Sequence, residues 1–189
     1  MQSKRSISTK KVVFTALMAA LTVAGSALRI TLPLEIAGTA SFHLGNIMCA
    51  LSGILLGPWY GALAAGLGSA LYDMMNPLYI SEAWITFLLK GAYGLLPGLV
   101  AWSGKQPWGM TKATLAAACG AVTYGILYLM KSYFYSGMLL SGLTADAAWL
   151  TVLSKLPPTI FNATVAIVFA PVLAVTIRKA LEQNHLSLD

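Results

Sequence analysis

Charge is scarce in this sequence. Lys, Arg, Asp and Glu together make up 10% of 189 residues, whereas a soluble domain carries about a quarter. A water-facing surface cannot be built from so few charged groups, which excludes an ordinary soluble fold. Cysteine is scarce too. Cys49 and Cys119 both fall inside apolar runs, with no CxxC and no Cys/His cluster, so neither a zinc site nor a disulfide framework is indicated. A GxxxxGK[ST] phosphate loop, an HExxH metal helix and a GxSxG nucleophile turn are all missing. The chain therefore has no means of coupling ATP hydrolysis to work by itself, and no nucleophile–base constellation points to an enzyme. No internal inverted repeat is visible.

Apolar residues fill the space that charge leaves. They make up 58% of the chain, and the mean hydropathy is +0.74. These values predict an all-α integral membrane protein, with residues 1–189 forming a single domain in the lipid bilayer. Six apolar segments stand out, at 12–32, 44–56, 59–75, 84–102, 111–135 and 145–177, and each is expected to be a transmembrane helix. The second and third fall short of the roughly 20 residues of a full span, so they should be short or tilted. The sixth is long, and Pro157–Pro158 should kink it or divide it. The N-terminus is basic, then apolar, then small, like a signal peptide. Its apolar part is long for one and more spans follow, so it reads as a retained first helix behind a basic tail, 1–11.

The basic residues set the orientation. With six spans both termini share a side, together with Lys4, Arg5, Lys10, Lys11, Lys105, Lys112, Arg178 and Lys179. The opposite loops, 33–43, 76–83 and 136–144, contain no Lys or Arg. The positive-inside rule then puts both termini in the cytoplasm. This distribution also explains the net charge of +6 without a nucleic-acid partner.

The stretch TFLLKGAYGLLPGLVAW, 86–102, holds Lys90 within an apolar helix. If the helix enters from outside near Trp84, Lys90 lies about 9 Å deep at 1.5 Å per residue. Asp73, Lys131 and Lys155 fall at a similar outer depth, and His43 and Asn46 open the second segment from the same side. Ionisable groups inside a membrane must face a bundle interior or a wet cavity, so several at one depth suggest one outward-opening cavity. Snorkelling of Lys131 and Lys155, or an ion pair between Asp73 and Lys90, would account for them without a ligand. Tyr72, Tyr93 and Tyr128 lie deep enough to stack on a flat ring, and Asn162 completes the candidate set. Small residues mark helix faces: Ala16, Ala20 and Ala24 on the first segment, and Gly57, Gly61, Ala65 and Ser69 along GPWYGALAAGLGSALYD. Such faces let helices approach closely, inside the monomer or against a partner.

FHLGNIMCALSGILLGPWYGALAAGLGSALYDMM, 42–75, followed by TFLLKGAYGLLPGLVA, 86–101, resembles the substrate-binding S components of energy-coupling factor (ECF) transporters. The basic tail before TALMAAL and the stretch LPPTIFNATVAIVFAPVL, 156–173, fit the same family, and the resemblance covers nearly the whole chain. It implies a subunit of a prokaryotic plasma membrane that binds a vitamin or related micronutrient from outside. It implies partnership with a transmembrane coupling subunit and two cytoplasmic ATPases. It implies that Ala16 and Ala20 contact the coupling subunit and that loop 33–43 closes over the ligand. The start lacks the MHIP-like motif of nickel and cobalt subunits, which argues against a metal substrate, and no cofactor is expected. Three lysines against Asp73 suggest a carboxylate or phosphate on the ligand, as in pantothenate or a pyridoxine-type or folate-type compound; queuine-type bases, a cobalamin and thiamine-like molecules stay open. The competing reading is a self-sufficient secondary transporter in which Asp73 and Lys90 form a proton-linked pair.

Overall fold

The computed structural model describes residues 9–33, 39–104 and 108–186. Lys4, Arg5 and Lys105, most of the basic tail, and 34–38 of the expected lid lie outside the described residues. Six α-helices are formed: α1 (Thr9–Ala27), α2 (Gly45–Leu56), α3 (Pro58–Met74), α4 (Ala83–Ala101), α5 (Met110–Lys131) and α6 (Ala145–Gln183). A 3-10 turn, Ile80–Glu82, leads into α4, and a π-helical segment, Ser132–Leu140, continues α5.

Two departures from the sequence reading bear on function. The first apolar segment does not stay helical to residue 32. The helix ends at Ala27, and the chain turns into an antiparallel hairpin of β1 (Arg29–Pro33) and β2 (Thr39–His43), with Arg29 opposite His43 and Thr31 opposite Ser41. Ile30 and Thr31 are β-branched and Pro33 cannot continue a helix, so this run prefers extended backbone once a partner strand is at hand. The sixth segment is neither divided at Pro157–Pro158 nor stopped at 177. The helix runs unbroken through Pro157, Pro158 and Pro171 to Gln183. Membrane helices tolerate such prolines when nearby hydroxyls and neighbouring helices satisfy the freed backbone.

The bundle is built from small residues inside and large ones outside. Its centre holds Ala64, Ala65, Ala113, Ala116, Ala117, Ala166 and Ala170, while Leu63, Leu67, Leu115, Ile126, Ile160 and Phe169 are exposed. In water this arrangement would be inverted. In lipid it is expected, because association there relies on close packing rather than on burying large apolar groups. Four helical stretches are long and apolar enough to cross a membrane; α2 and α3, at 12 and 17 residues, are shorter.

One end of the bundle collects the start of α1, α3 and α5 and the end of α2, α4 and α6. Lys11 lies over the rings of Tyr60 and Trp102, Trp102 Nε1 donates to the Ile54 carbonyl at 2.9 Å, and Arg178 donates to the Trp108 carbonyl at 2.9 Å. The described ends of the chain thus share the basic end.

Helix α2 is buried on nearly every side, and α3 and α4 close around it through glycines. Gly57 joins α2 to α3 alone, at φ 81°, a conformation that favours glycine. A Cβ on Gly53 would sit 2.2 Å from the Gly94 carbonyl oxygen, and one on Gly94 would sit 2.3 Å from the Gly61 carbonyl oxygen. The backbones of α2, α3 and α4 therefore touch. Gly94→Ala is expected to cost about 1–3 kcal/mol by overpacking and to lower the thermal unfolding midpoint in detergent by several degrees. Gly91→Ala, on the same helix but with its nearest neighbour 3.7 Å from the added methyl, should leave the midpoint nearly unchanged. Equal effects would show that the glycine contact does not hold the bundle.

Candidate functional site

The shortness of α2 creates the site. Twelve residues span about 18 Å, against roughly 30 Å of hydrocarbon. The central helix therefore stops well below the end of the bundle opposite the basic residues. The space above its first turn is a cavity of about 340 Å³, lined from every helix and from the hairpin. His43, Asn46, Asp73, Lys90, Tyr128, Lys131, Lys155 and Asn162 all line it. Eight of the ten residues singled out from sequence thus meet in one place.

Lys90 is 5% exposed. Its ammonium donates to Asn46 Oδ1 on α2 and lies 4.0 Å from the centroid of the Tyr124 ring. The alternative, an ion pair with Asp73, is not formed: among the described residues Lys90 has no carboxylate oxygen within ion-pair distance. Asn46, on the first turn of α2, is its hydrogen-bond partner instead. Lys131 does have a counter-ion, Glu82 at the start of α4, and Glu82 also accepts from the Ser136 hydroxyl of the π-helical segment. Lys155, 8% exposed, makes no hydrogen bond or ion pair among the described residues; its nearest ring is Tyr128, with the ammonium 5.9 Å from the centroid. Neither Lys131 nor Lys155 snorkels away, since both line the cavity.

Tyr93 and Tyr72 are placed outside the lining. Tyr93 is fully buried and stacks under Tyr124, ring centroids 5.0 Å apart; Tyr124 in turn stacks on Tyr128 at 5.8 Å. Tyr124, one helical turn before Tyr128, is the wall residue that Tyr93 supports. Tyr72 lies under the guanidinium of Arg29, 4.2 Å from its ring centroid. Arg29 itself lines the cavity from the hairpin.

Sequence reasoning missed Arg29, Glu82 and Tyr124 as site residues. Arg29 escapes sequence reasoning because its run reads as a continuation of the first helix, whereas it opens β1. Glu82 had a usable signal, as the lone acid in the 76–83 connection, but only the tertiary fold lays it against Lys131.

Asn162 holds the hairpin down. Its Nδ2 donates to the Ser41 carbonyl at 2.8 Å, and its Oδ1 accepts from the His43 backbone N–H at 3.1 Å. One side-chain amide thus pairs with β2 as a neighbouring strand would. Phe42 packs edge-on against Phe161, centroids 5.1 Å apart. At the other strand, Arg29 Nε donates to the Ser26 carbonyl at 2.8 Å. The hairpin is therefore fastened over the cavity at α6 and at the α1–α3 side. His43 closes the corner: its Nδ1 accepts from the Gly45 N–H at 3.2 Å. Burial, with Lys90 and Arg29 nearby, holds its pKa well below the usual 6.5.

Comparisons with known proteins give a family and a fold. Residues 6–179 match the family model described as "ECF-type riboflavin transporter, S component". The chain is 31% identical over 118 residues to an uncharacterised protein in the gap 3′ region of Pyrococcus woesei, an alignment that covers 62% of this chain and 74% of that one. The crystal structure of the S component for biotin from an ECF-type ABC transporter superposes with a TM-score of 0.60 at 15% identity, covering 89% of this chain and 94% of that one. At that identity the likeness is one of fold.

The neutral state of His43 gives a pH test. Below its ordinary pKa the unfolded chain takes up a proton that the folded chain refuses, so the associated stability is present above pH 6.5 and is lost as pH falls below it. The unfolding midpoint of the wild type should drop from about pH 7 to about pH 5, and His43→Asn, which keeps an acceptor for the Gly45 N–H, should drop less. Parallel pH profiles would remove His43 from this role.

Proposed function

The chain belongs to the ECF-type riboflavin transporter S-component family, and from that membership we propose that it is the high-affinity, substrate-specific subunit of an ATP-driven importer for a water-soluble vitamin or related micronutrient. S components are substrate-binding membrane subunits of transporters, not enzymes, and in general they associate with a transmembrane and an ATPase component. The observation that carries the reading is a polar cavity sunk in an apolar bundle at the end away from the basic residues and covered by a fastened hairpin. Its volume and mixed lining suit one small organic molecule. In this reading both termini face the cytoplasm of a prokaryotic cell by the positive-inside rule, the cavity opens outward, and the segment 33–43 is the lid.

The partner face is α1. Ala16, Ala20 and Ala24 are exposed on it, so this stripe does not serve packing within the monomer, unlike the buried Gly57, Gly61, Ala65 and Ser69 of the α2–α3 region. A groove of exposed small residues lets another membrane helix approach closely, and the coupling subunit is its proposed occupant. The secondary-transporter reading is less favoured, since Lys90 and Asp73 are not within ion-pair distance among the described residues.

Co-purification and uptake test the proposal together. The chain should bring down a coupling subunit and ATPases from native membranes, and uptake should stop when the ATPases are inactivated; uptake that persists would overturn it. Ala16→Trp and Ala20→Trp should leave ligand affinity unchanged and abolish uptake, because a large side chain holds the two subunits apart. Asn162→Ala should act on the lid, raising the ligand off-rate about tenfold or more with little change in on-rate. An unchanged off-rate would mean that the hairpin does not retain the ligand.

A further inference from the structure

We propose that the ligand of this cavity is a small organic anion, its carboxylate or phosphate group engaged by Lys155 and Lys90, rather than a neutral ring compound. The inference rests on the reading of the chain as a substrate-binding subunit and narrows it to a substrate class.

The argument starts from the charges facing the cavity. Arg29, Lys90, Lys131 and Lys155 line it, against Asp73 and Glu82. Glu82 is engaged by Lys131, so that pair neutralises itself. Arg29, Lys90 and Lys155 then face Asp73, with the already paired Glu82 within electrostatic reach of Lys155. Arg29 is committed elsewhere, with its Nε–H on the Ser26 carbonyl and its guanidinium over Tyr72 and Tyr79. Lys90 has only uncharged partners, the Asn46 carbonyl oxygen and the Tyr124 ring. Lys155 has no hydrogen bond or ion pair among the described residues, although it is 8% exposed. Two lysines, each less than a tenth exposed as residues, thus reach the cavity with no carboxylate in ion-pair contact among the described residues.

Burying an ammonium is costly unless an anion or water compensates it. The protein could have supplied a second acid here, as it supplies Glu82 to Lys131. Instead it places amides, hydroxyls and aromatic faces. The first turn of α2 adds to the same sign, because the positive end of its dipole points at the cavity floor, where Asn46 sits. A neutral ligand would leave this excess uncompensated at every stage of binding. An anion would be met by a site already organised for it, with no reorganisation on arrival.

Binding of matched acid and neutral pairs to the purified protein tests this: pantothenate and panthenol, nicotinate and nicotinamide, and biotin and biotinamide for a carboxylate; flavin mononucleotide and riboflavin, and pyridoxal phosphate and pyridoxal, for a phosphate. The expected result is that one acid binds and its neutral partner binds at least about thirtyfold more weakly, the loss that goes with one desolvated charge contact. Which set contains that acid tells carboxylate from phosphate. Lys155→Met should weaken the acid by a similar factor, and Lys155→Arg should restore part of it. The ligand-free Lys155→Met protein should unfold no lower than the wild type, because it loses a buried charge that no protein group partners. If Lys155→Met fails to fold, the pairs measured on the wild type still decide. A neutral member binding as tightly as its acid overturns the anion inference and leaves the S-component reading standing. If no member of any pair binds, the reading of this cavity as a vitamin-type site fails, and the inference with it.

Discussion

An ammonium group removed from water needs an anion, a dipole or a solvent channel close by, and in a lipid-embedded bundle those must come from the protein or its ligand. Lys90, Lys131 and Lys155 bring three such groups to one level of the fold, and the architecture around them follows from that need. Glu82 lies at the mouth of α4 where it can reach Lys131. Asn46 stands on the first turn of α2 beneath Lys90. Tyr93, Tyr124 and Tyr128 form a stacked ladder whose negative ring faces help to hold Lys90. The cavity is the remaining part of the solution, since it keeps the groups that lack a protein partner within reach of solvent or solute.

The cavity depends in turn on close backbone contact elsewhere. Gly53, Gly61 and Gly94 let α2, α3 and α4 touch along the basic half of the bundle. A central helix held that tightly needs few residues to be buried on all sides, and α2 uses twelve. Its early end leaves the opposite half of the bundle open, and the hairpin crosses that opening. Dense packing at one end and a void at the other are thus two results of one short helix. The hairpin is attached through polar contacts at its edges, with Asn162 the main clasp on α6. Such contacts can open individually while the glycine-packed half stays rigid, as a cover over a binding site requires.

Much of this was legible in the chain. Hydropathy and length gave the number and order of the helices, because most apolar runs in lipid have few options other than a helix, although the first ends five residues early and the sixth runs six residues longer. Depth along those helices was enough to bring His43, Asn46, Asp73, Lys90, Tyr128, Lys131, Lys155 and Asn162 to one cavity, since residues at one level of a bundle share a cross-section. Depth alone does not give the direction in which a side chain points. Tyr72 and Tyr93 have the right height and the wrong azimuth, while Tyr124 has both. The hairpin was illegible for a different reason. A strand of five residues is stable only against its partner, and nothing local to 28–32 announces a partner ten residues on.

The sequence by itself determined that the protein lives in a membrane, that its basic residues gather at one end, and that its intramembrane charges gather near the other. These are properties of composition and of position along a helix, which the 1.5 Å rise converts directly into depth. Only the tertiary structure decided which charges pair. Lys90 met Asn46 rather than Asp73, Lys131 met Glu82, and Lys155 met no anion. An ion pair needs two side chains within about 4 Å, and that distance is set by helix rotation and crossing angle, which here follow from three glycines on three different helices.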